Sequence, residues 1–112
     1  MASLSQLVEV EGLDGPISAA GPLELTDVLH ALSDPIRLRI VAQLGDGSEI
    51  ACGSFVLPVT KSTSSHHFRV LREAGVLTTR IDGKNRFNRL ERERLDEQFP
   101  GLLDAVLQAQ AS

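Results

Sequence analysis

Residues 60–90 read TKSTSSHHFRVLREAGVLTTRIDGKNRFNRL. Thr60 places a side-chain oxygen ahead of a run free of proline and glycine, which is the chemistry of a helix N-cap. Gly75 is suited to the left-handed backbone that ends a helix. The spacing predicts a helix from 61 to about 74. Val76 to Asp82 is rich in strand formers, Asp82-Gly83 is a hairpin turn signal, and Asn85 to Glu91 continues with apolar Phe87 and Leu90. The decisive feature is this order: a helix that passes directly into a two-stranded hairpin.

The elements upstream are punctuated as clearly. Pro22 suits the first turn of a helix, and Leu25, Val28, Leu29 and Leu32 follow at the i, i+3, i+4, i+7 spacing of one apolar face. Asp34-Pro35 restarts the chain, with Asp34 as N-cap and Pro35 at the first helical position. Ile36, Ile40, Val41 and Leu44 form the next stripe, which ends at Gly45 and Gly47. Gly53 and Pro58 break residues 48–59, where a short helix or turn is expected. A last helix runs from 92 to about 110, carries Leu95, Phe99, Leu102, Leu103, Val106 and Leu107, and is kinked or broken by Pro100 near Phe99. Residues 1–21 read as an arm, with a short helical stretch at Leu4, Leu7 and Val8. The fold class is mainly α with a small β-hairpin: a winged helix-turn-helix in the order α-α-α-α-β-β-α, with one domain over 22–110.

Composition narrows the function classes. The chain has 112 residues, one cysteine and 42% hydrophobic residues. That composition excludes wholesale disorder and a disulfide-stapled scaffold. No apolar run approaches the roughly 20 residues of a membrane span, and residues 1–20 lack a secretory pattern, so a cytoplasmic protein is expected. The net charge of −4 conceals an uneven distribution. Residues 1–55 carry two arginines against eight acids, residues 56–95 carry nine basic residues against four acids, and residues 96–112 carry three acids. Such asymmetry points the central block at an anionic partner.

The block has the layout of a nucleic-acid contact. At about 100° per residue, Lys61, Ser62, Ser65, His66, Arg69, Arg72 and Glu73 share one side of the 61–74 helix. Phe68, Leu71, Val70, Ala74, His67 and Ser64 share the other. Arginine and lysine donate to guanine edges or phosphates, and serine and histidine reach base edges or backbone. Arg80, Lys84, Arg86 and Arg89 decorate the hairpin, whose tip at Gly83-Lys84 can enter a minor groove. A polar face alone would suit any surface helix. The basic hairpin that follows makes the pairing specific.

The stretches Leu32-Ser33-Asp34-Pro35-Ile36-Arg37-Leu38-Arg39-Ile40 and Ser62 through Leu77 resemble the ArsR/SmtB family of bacterial winged-helix repressors, over roughly 23–107. The resemblance implies a homodimer joined through the first and last helices, with paired recognition helices in successive major grooves. It also implies repression relieved by an effector. It places Thr60, Lys61, Ser62, Ser65 and His66 at DNA contacts, and Lys84 and Arg86 on the matching wing. With Arg69 and Arg72 these make the expected DNA-binding set. The expected dimer contact is formed by Leu25, Val28, Leu29, Leu32, Leu102, Leu103, Val106 and Leu107, which also contribute to the core.

The sensor question stays open. Metal-sensing relatives carry a Cys-x-Cys pair before the recognition helix, or Asp/His and His/Glu pairs on the final helix. Here Ala51-Cys52-Gly53 supplies one thiol, and the final helix has no histidine, so no metal site and no cofactor are expected. Adjacent helix residues point about 100° apart, so His66 and His67 are poor joint ligands. His66 is assigned to DNA and His67 to a structural role, as is His30. Arg37 and Arg39 are read as structural ion pairs with Glu24, Asp27 or Asp34, and Arg92 and Arg94 as a solvated face beside Glu91 and Glu93. No phosphate loop or nucleophile elbow suggests an enzyme. The expected function is that of a sequence-specific repressor binding a near-palindromic DNA operator, with an unidentified small effector. Two rivals remain: a metal- or thiol-responsive derepressor using Cys52, and a winged-helix module that binds an acidic protein.

Overall fold

Asp34 separates the first two helices. Its Oδ2 accepts the backbone N–H of Ile36 at 2.8 Å and of Arg37 at 3.2 Å, and Pro35 follows at the first helical position. This cap satisfies donors that a helix start leaves orphaned. In the computed structural model, which describes residues 22–111, it divides α1 (Leu25–Ala31) from α2 (Pro35–Gln43). The arm expected over residues 1–21 lies outside the described residues. Pro22 sits in a bend ahead of α1, which starts only after Glu24. The buried Leu23 explains the delay, because its backbone N–H donates to Gln98 Oε1 at 2.7 Å and ties the segment to the far end of the chain.

Residues 48–59 hold no full helix. Ile50–Ala51 forms a two-residue strand, β1, and Cys52–Ser54 makes one 3₁₀ turn. The 3₁₀ turn fits the expected short helix or turn, whereas the strand was not expected and arises from pairing with the remote Phe87 and Asn88. The following loop is fastened to α2 by a reciprocal amide pair. Gln43 Nε2 donates to the Val56 carbonyl at 3.0 Å, and Val56 N–H donates to Gln43 Oε1 at 3.2 Å.

α3 (Lys61–Glu73) begins where the sequence predicts, with Thr60 Oγ1 accepting the Thr63 N–H at 3.3 Å. It ends in a Schellman motif: Gly75 N–H bonds the Arg72 carbonyl, and Val76 N–H bonds the Leu71 carbonyl. Gly75 has φ +83°, which disfavours any side chain. β2 (Leu77–Asp82) and β3 (Asn85–Leu90) follow as an antiparallel hairpin, and the sheet order is β1-β3-β2. Asp82 pairs with Asn85, so the two-residue loop is Gly83-Lys84. Only Gly83 has positive φ, as a type II′ turn requires.

The expected final helix is two helices, α4 (Arg92–Gln98) and α5 (Leu102–Ala111), broken at Phe99-Pro100-Gly101. Pro100 has no N–H to continue the ladder. The core gathers one stripe from each element: Val28, Ile40, Val41, Leu44, Leu71, Leu77, Leu95 and Leu103 are essentially inaccessible to solvent. Each such side chain contributes about 1.5–3 kcal/mol. Among the described residues, no helix is long and apolar enough to cross a membrane.

Candidate nucleic-acid interface

The helix α3 is held from behind by a buried arginine. Arg37 donates through Nε to the Ala31 carbonyl at 2.7 Å and through Nη2 to the His30 carbonyl at 3.3 Å. Both carbonyls belong to the last turn of α1, where a cation suits the helix dipole. Its Nη1 donates to His67 Nδ1 on α3 at 3.0 Å. A guanidinium only donates, so Nδ1 must be the unprotonated nitrogen of this bond. Asp34 Oδ2 lies 3.7 Å from the same nitrogen. Burial would raise the Asp34 carboxyl, but the Arg37 and Ile36 amides, with the charge of Arg37, bring it below its ordinary value. His67 is therefore structural, as expected. Arg37 is structural too, but its direct partners are carbonyls and a histidine; of the expected acids Glu24, Asp27 and Asp34, it is Asp34 that feels its charge.

With its apolar side fixed, α3 presents the other side outward. Lys61, Ser62, Ser65, His66 and Arg69 are exposed, and Thr60 is exposed in the cap. The Thr60 hydroxyl already serves the helix end, contacting Ser62 Oγ at 3.2 Å and donating to Thr63 Oγ1 at 3.1 Å. Ser65 Oγ donates back to the Lys61 carbonyl at 3.0 Å. Arg72 differs from its neighbours on the cationic arc: it is half-buried. Phe68 lies one turn earlier, and this i, i+4 neighbour at the edge of the apolar side was the sequence signal for that burial.

The wing divides its cations by strand face. Leu90 and Asn88 are buried on the side facing α3. Arg86 stands on that same side by the period of two, nearer the hairpin tip. Arg80 faces the other way and is committed: it forks onto Glu49 at 2.9 and 3.2 Å and lies 4.8 Å from the Phe87 ring centroid. Its hydrogen bond to Glu49 lowers that carboxyl and raises the guanidinium. Lys84 and Arg89 are exposed.

The structure brings Lys61, Ser65, Arg69, Arg72 and Arg86 to one cleft of about 280 Å³ between α3 and β3, and leaves Thr60, Ser62, His66 and Lys84 outside it. Cys52 and Phe68 also line the cleft, a placement that sequence reasoning missed. Cys52 arrives there through β1, which pairs Ala51 with Phe87, and its Sγ accepts from Asn88 Nδ2 at 3.1 Å. Burial lowers the Arg72 guanidinium from its ordinary value; Arg86 and Arg69 add to this, and Cys52 and Glu73 oppose it.

The leucine faces are split by burial. Val28, Leu32 and Leu103 are buried within the chain, whereas Leu25 and Leu29 are each 46% exposed. Leu102, Val106 and Leu107 pack partly against the core. Among the described residues, no group of three or more histidine, cysteine or acidic side chains comes together as a metal site.

Comparison with known proteins agrees with this layout. Residues 34–79 match the family described as bacterial regulatory protein, arsR family. The chain is 35% identical to the HTH-type transcriptional regulator YceK of Bacillus subtilis (strain 168), over 70% of this chain and 82% of the relative. It is 36% identical to the arsenical resistance operon repressor of Staphylococcus xylosus, over 65% of this chain and 71% of the relative. Among solved structures, the transcriptional repressor BigR from Xylella fastidiosa superposes with a TM-score of 0.61 at 30% identity, covering 76% of this chain and 84% of that one.

Proposed function

The chain belongs to the arsR family of bacterial regulatory proteins, and from that premise we propose that it is a transcriptional repressor that binds its operator as a homodimer. One observation carries the reading: the exposed cationic side of α3 is joined to a cationic wing through a single Schellman turn, so that both meet the same ligand. Lys61, Ser62, Ser65, His66 and Arg69 on α3 are positioned for a major groove, with Thr60 at the helix start, where free N–H groups favour phosphate. Lys84 at the wing tip suits the adjoining minor groove. Arg72 and Arg86 suit the backbone between them.

Leu25 and Leu29, with the outer parts of Leu102, Val106 and Leu107, form the proposed contact between copies. Two copies would place their recognition helices about one helical turn (~34 Å) apart on a near-palindromic site. The test is selection of bound duplexes from a random library, followed by gel shift across a salt series. Lys61→Ala/Arg69→Ala should weaken binding and flatten the salt slope by about 0.9 per lost phosphate contact. Absence of any selectively bound duplex would end the reading.

The position of Cys52 inside the cationic cleft favours a second version, in which release responds to the thiol. Operator affinity of wild type and Cys52→Ser, with and without oxidant or zinc, separates the two versions. Identical responses would retire the thiol version.

A further inference from the structure

The cleft between α3 and β3 is built differently from the exposed face beside it. Its volume of about 280 Å³ leaves room for a small ligand. Lys61, Arg69, Arg72 and Arg86 line it, and no carboxylate does. Three arginines elsewhere have partners: Arg80 has Glu49, Arg92 has Asp96, and Arg37 has two carbonyls and His67. Among the described residues, none of the four cleft cations forms an ion pair. Arg72 Nε is moreover shielded from solvent without an acceptor. A shielded donor left bare is costly, and the cost is greater on a charged group.

The surroundings suit an anion with several oxygens. Arg72 comes from the helix and Arg86 from the strand, so their guanidinium groups approach from two elements, and each can present a fork of N–H donors. Ser64 and Ser65 are small, and their hydroxyls are turned back onto the Lys61 carbonyl, which leaves the space open. Phe68 and Cys52 supply a weakly polar lining, against which charge-assisted hydrogen bonds gain strength.

We propose that this cleft is a seat for one phosphate-type oxyanion, held by Arg72 of the recognition helix and Arg86 of the wing. The proposal deepens the repressor reading and rests on it. The oxyanion has two sources: a backbone phosphate of the bound duplex, or a free oxyanion in solution that competes with DNA for the same donors. In either case the seat couples helix to wing, because it is filled only when the two stand at their observed separation.

Arg72→Lys is the informative variant, since it keeps the charge and stem but removes Nε and the fork. ¹⁵N-labelled protein is titrated with sodium phosphate against sodium chloride at equal ionic strength, reading arginine Nε–H and backbone amide shifts. A random-sequence duplex two helical turns long is then bound across a salt series. Saturable phosphate shifts at cleft residues, lost in Arg72→Lys, identify a free-oxyanion seat; phosphate then displaces the duplex more than chloride does. Without those shifts, a loss of about tenfold in duplex affinity in Arg72→Lys, at unchanged salt slope, identifies a backbone phosphate as occupant. No phosphate shift together with unaltered duplex affinity overturns the proposal. Arg86→Lys, on the exposed wing, takes the place of Arg72→Lys if circular dichroism shows that variant unfolded. If wild type binds no duplex at all, the repressor reading fails separately. The phosphate titration then decides the seat alone: saturable shifts keep it and their absence overturns it.

Discussion

Replacing His67 by leucine tests whether the recognition helix is fastened by Arg37. Arg37 is 7% exposed and divides its donors among the Ala31 carbonyl, the His30 carbonyl and His67 Nδ1. Leucine removes the third acceptor and leaves one charged N–H facing a buried wall. Asp34 Oδ2, 3.7 Å from His67 Nδ1, already accepts two backbone amides. A bare buried donor costs about 1–3 kcal/mol. At about 4–8 °C per kcal/mol for a domain of this size, the melting temperature should fall by roughly 5–20 °C. Urea and thermal melts by circular dichroism read this, at fixed protomer concentration because self-association shifts Tm. His67→Asn returns an acceptor near the Nδ1 position and should recover part of the loss. A double-mutant cycle with Arg37→Met isolates the pair. A coupling energy below about 0.5 kcal/mol, or equal losses for leucine and asparagine, would refute the fastening argument.

Three further outcomes follow from the same geometry. Asp34 is held below its ordinary pKa, so its contribution is complete above the unfolded value near 3.8 and is lost as pH falls through the lower folded value; Asp34→Ala should cost about 0.5–2 kcal/mol at neutral pH, and Asp34→Asn should keep most of the cap while erasing that acid limb, both read in pH-dependent urea melts. Gly75→Ala should destabilise by about 1–2 kcal/mol, because φ +83° forces a side chain into the left-handed region; a neutral result in the same melts would contradict the Schellman ending. Leu25→Glu/Leu29→Glu places charges on the 46%-exposed leucines and should convert the proposed dimer to monomer by sedimentation with helicity retained; an unchanged mass would move the contact elsewhere.

Both ends of α3 were legible because their signals are local: a hydroxyl at Thr60 and a glycine at position 75. The same holds for the Asp34-Pro35 start of α2 and the break at Pro100. What escaped depends on residues far apart in sequence. β1 exists because Ile50 and Ala51 meet Asn88 and Phe87, and no property of the dipeptide announces this. Arg37 is buried only because the last turn of α1 and the middle of α3 close over it. Leu25 and Leu29 share a spacing with Val28 and Leu32, yet only the latter two face the chain's own core. The cationic residues were identified as a block, but their division between an open face and a cleft required the strand register that sets Arg86 beside Arg72.

The turn between recognition helix and wing has a metric consequence. Only Ala74, Gly75 and Val76 separate α3 from β2, and the Schellman bonds leave that joint no slack. Six residues of β2, at about 3.4 Å each, carry the hairpin tip roughly 20 Å outward. The protein is thus a caliper with fixed jaws. In the proposed DNA complex, helix and wing would reach points about half a helical turn apart, so a site with suitable bases but altered groove spacing should bind more weakly.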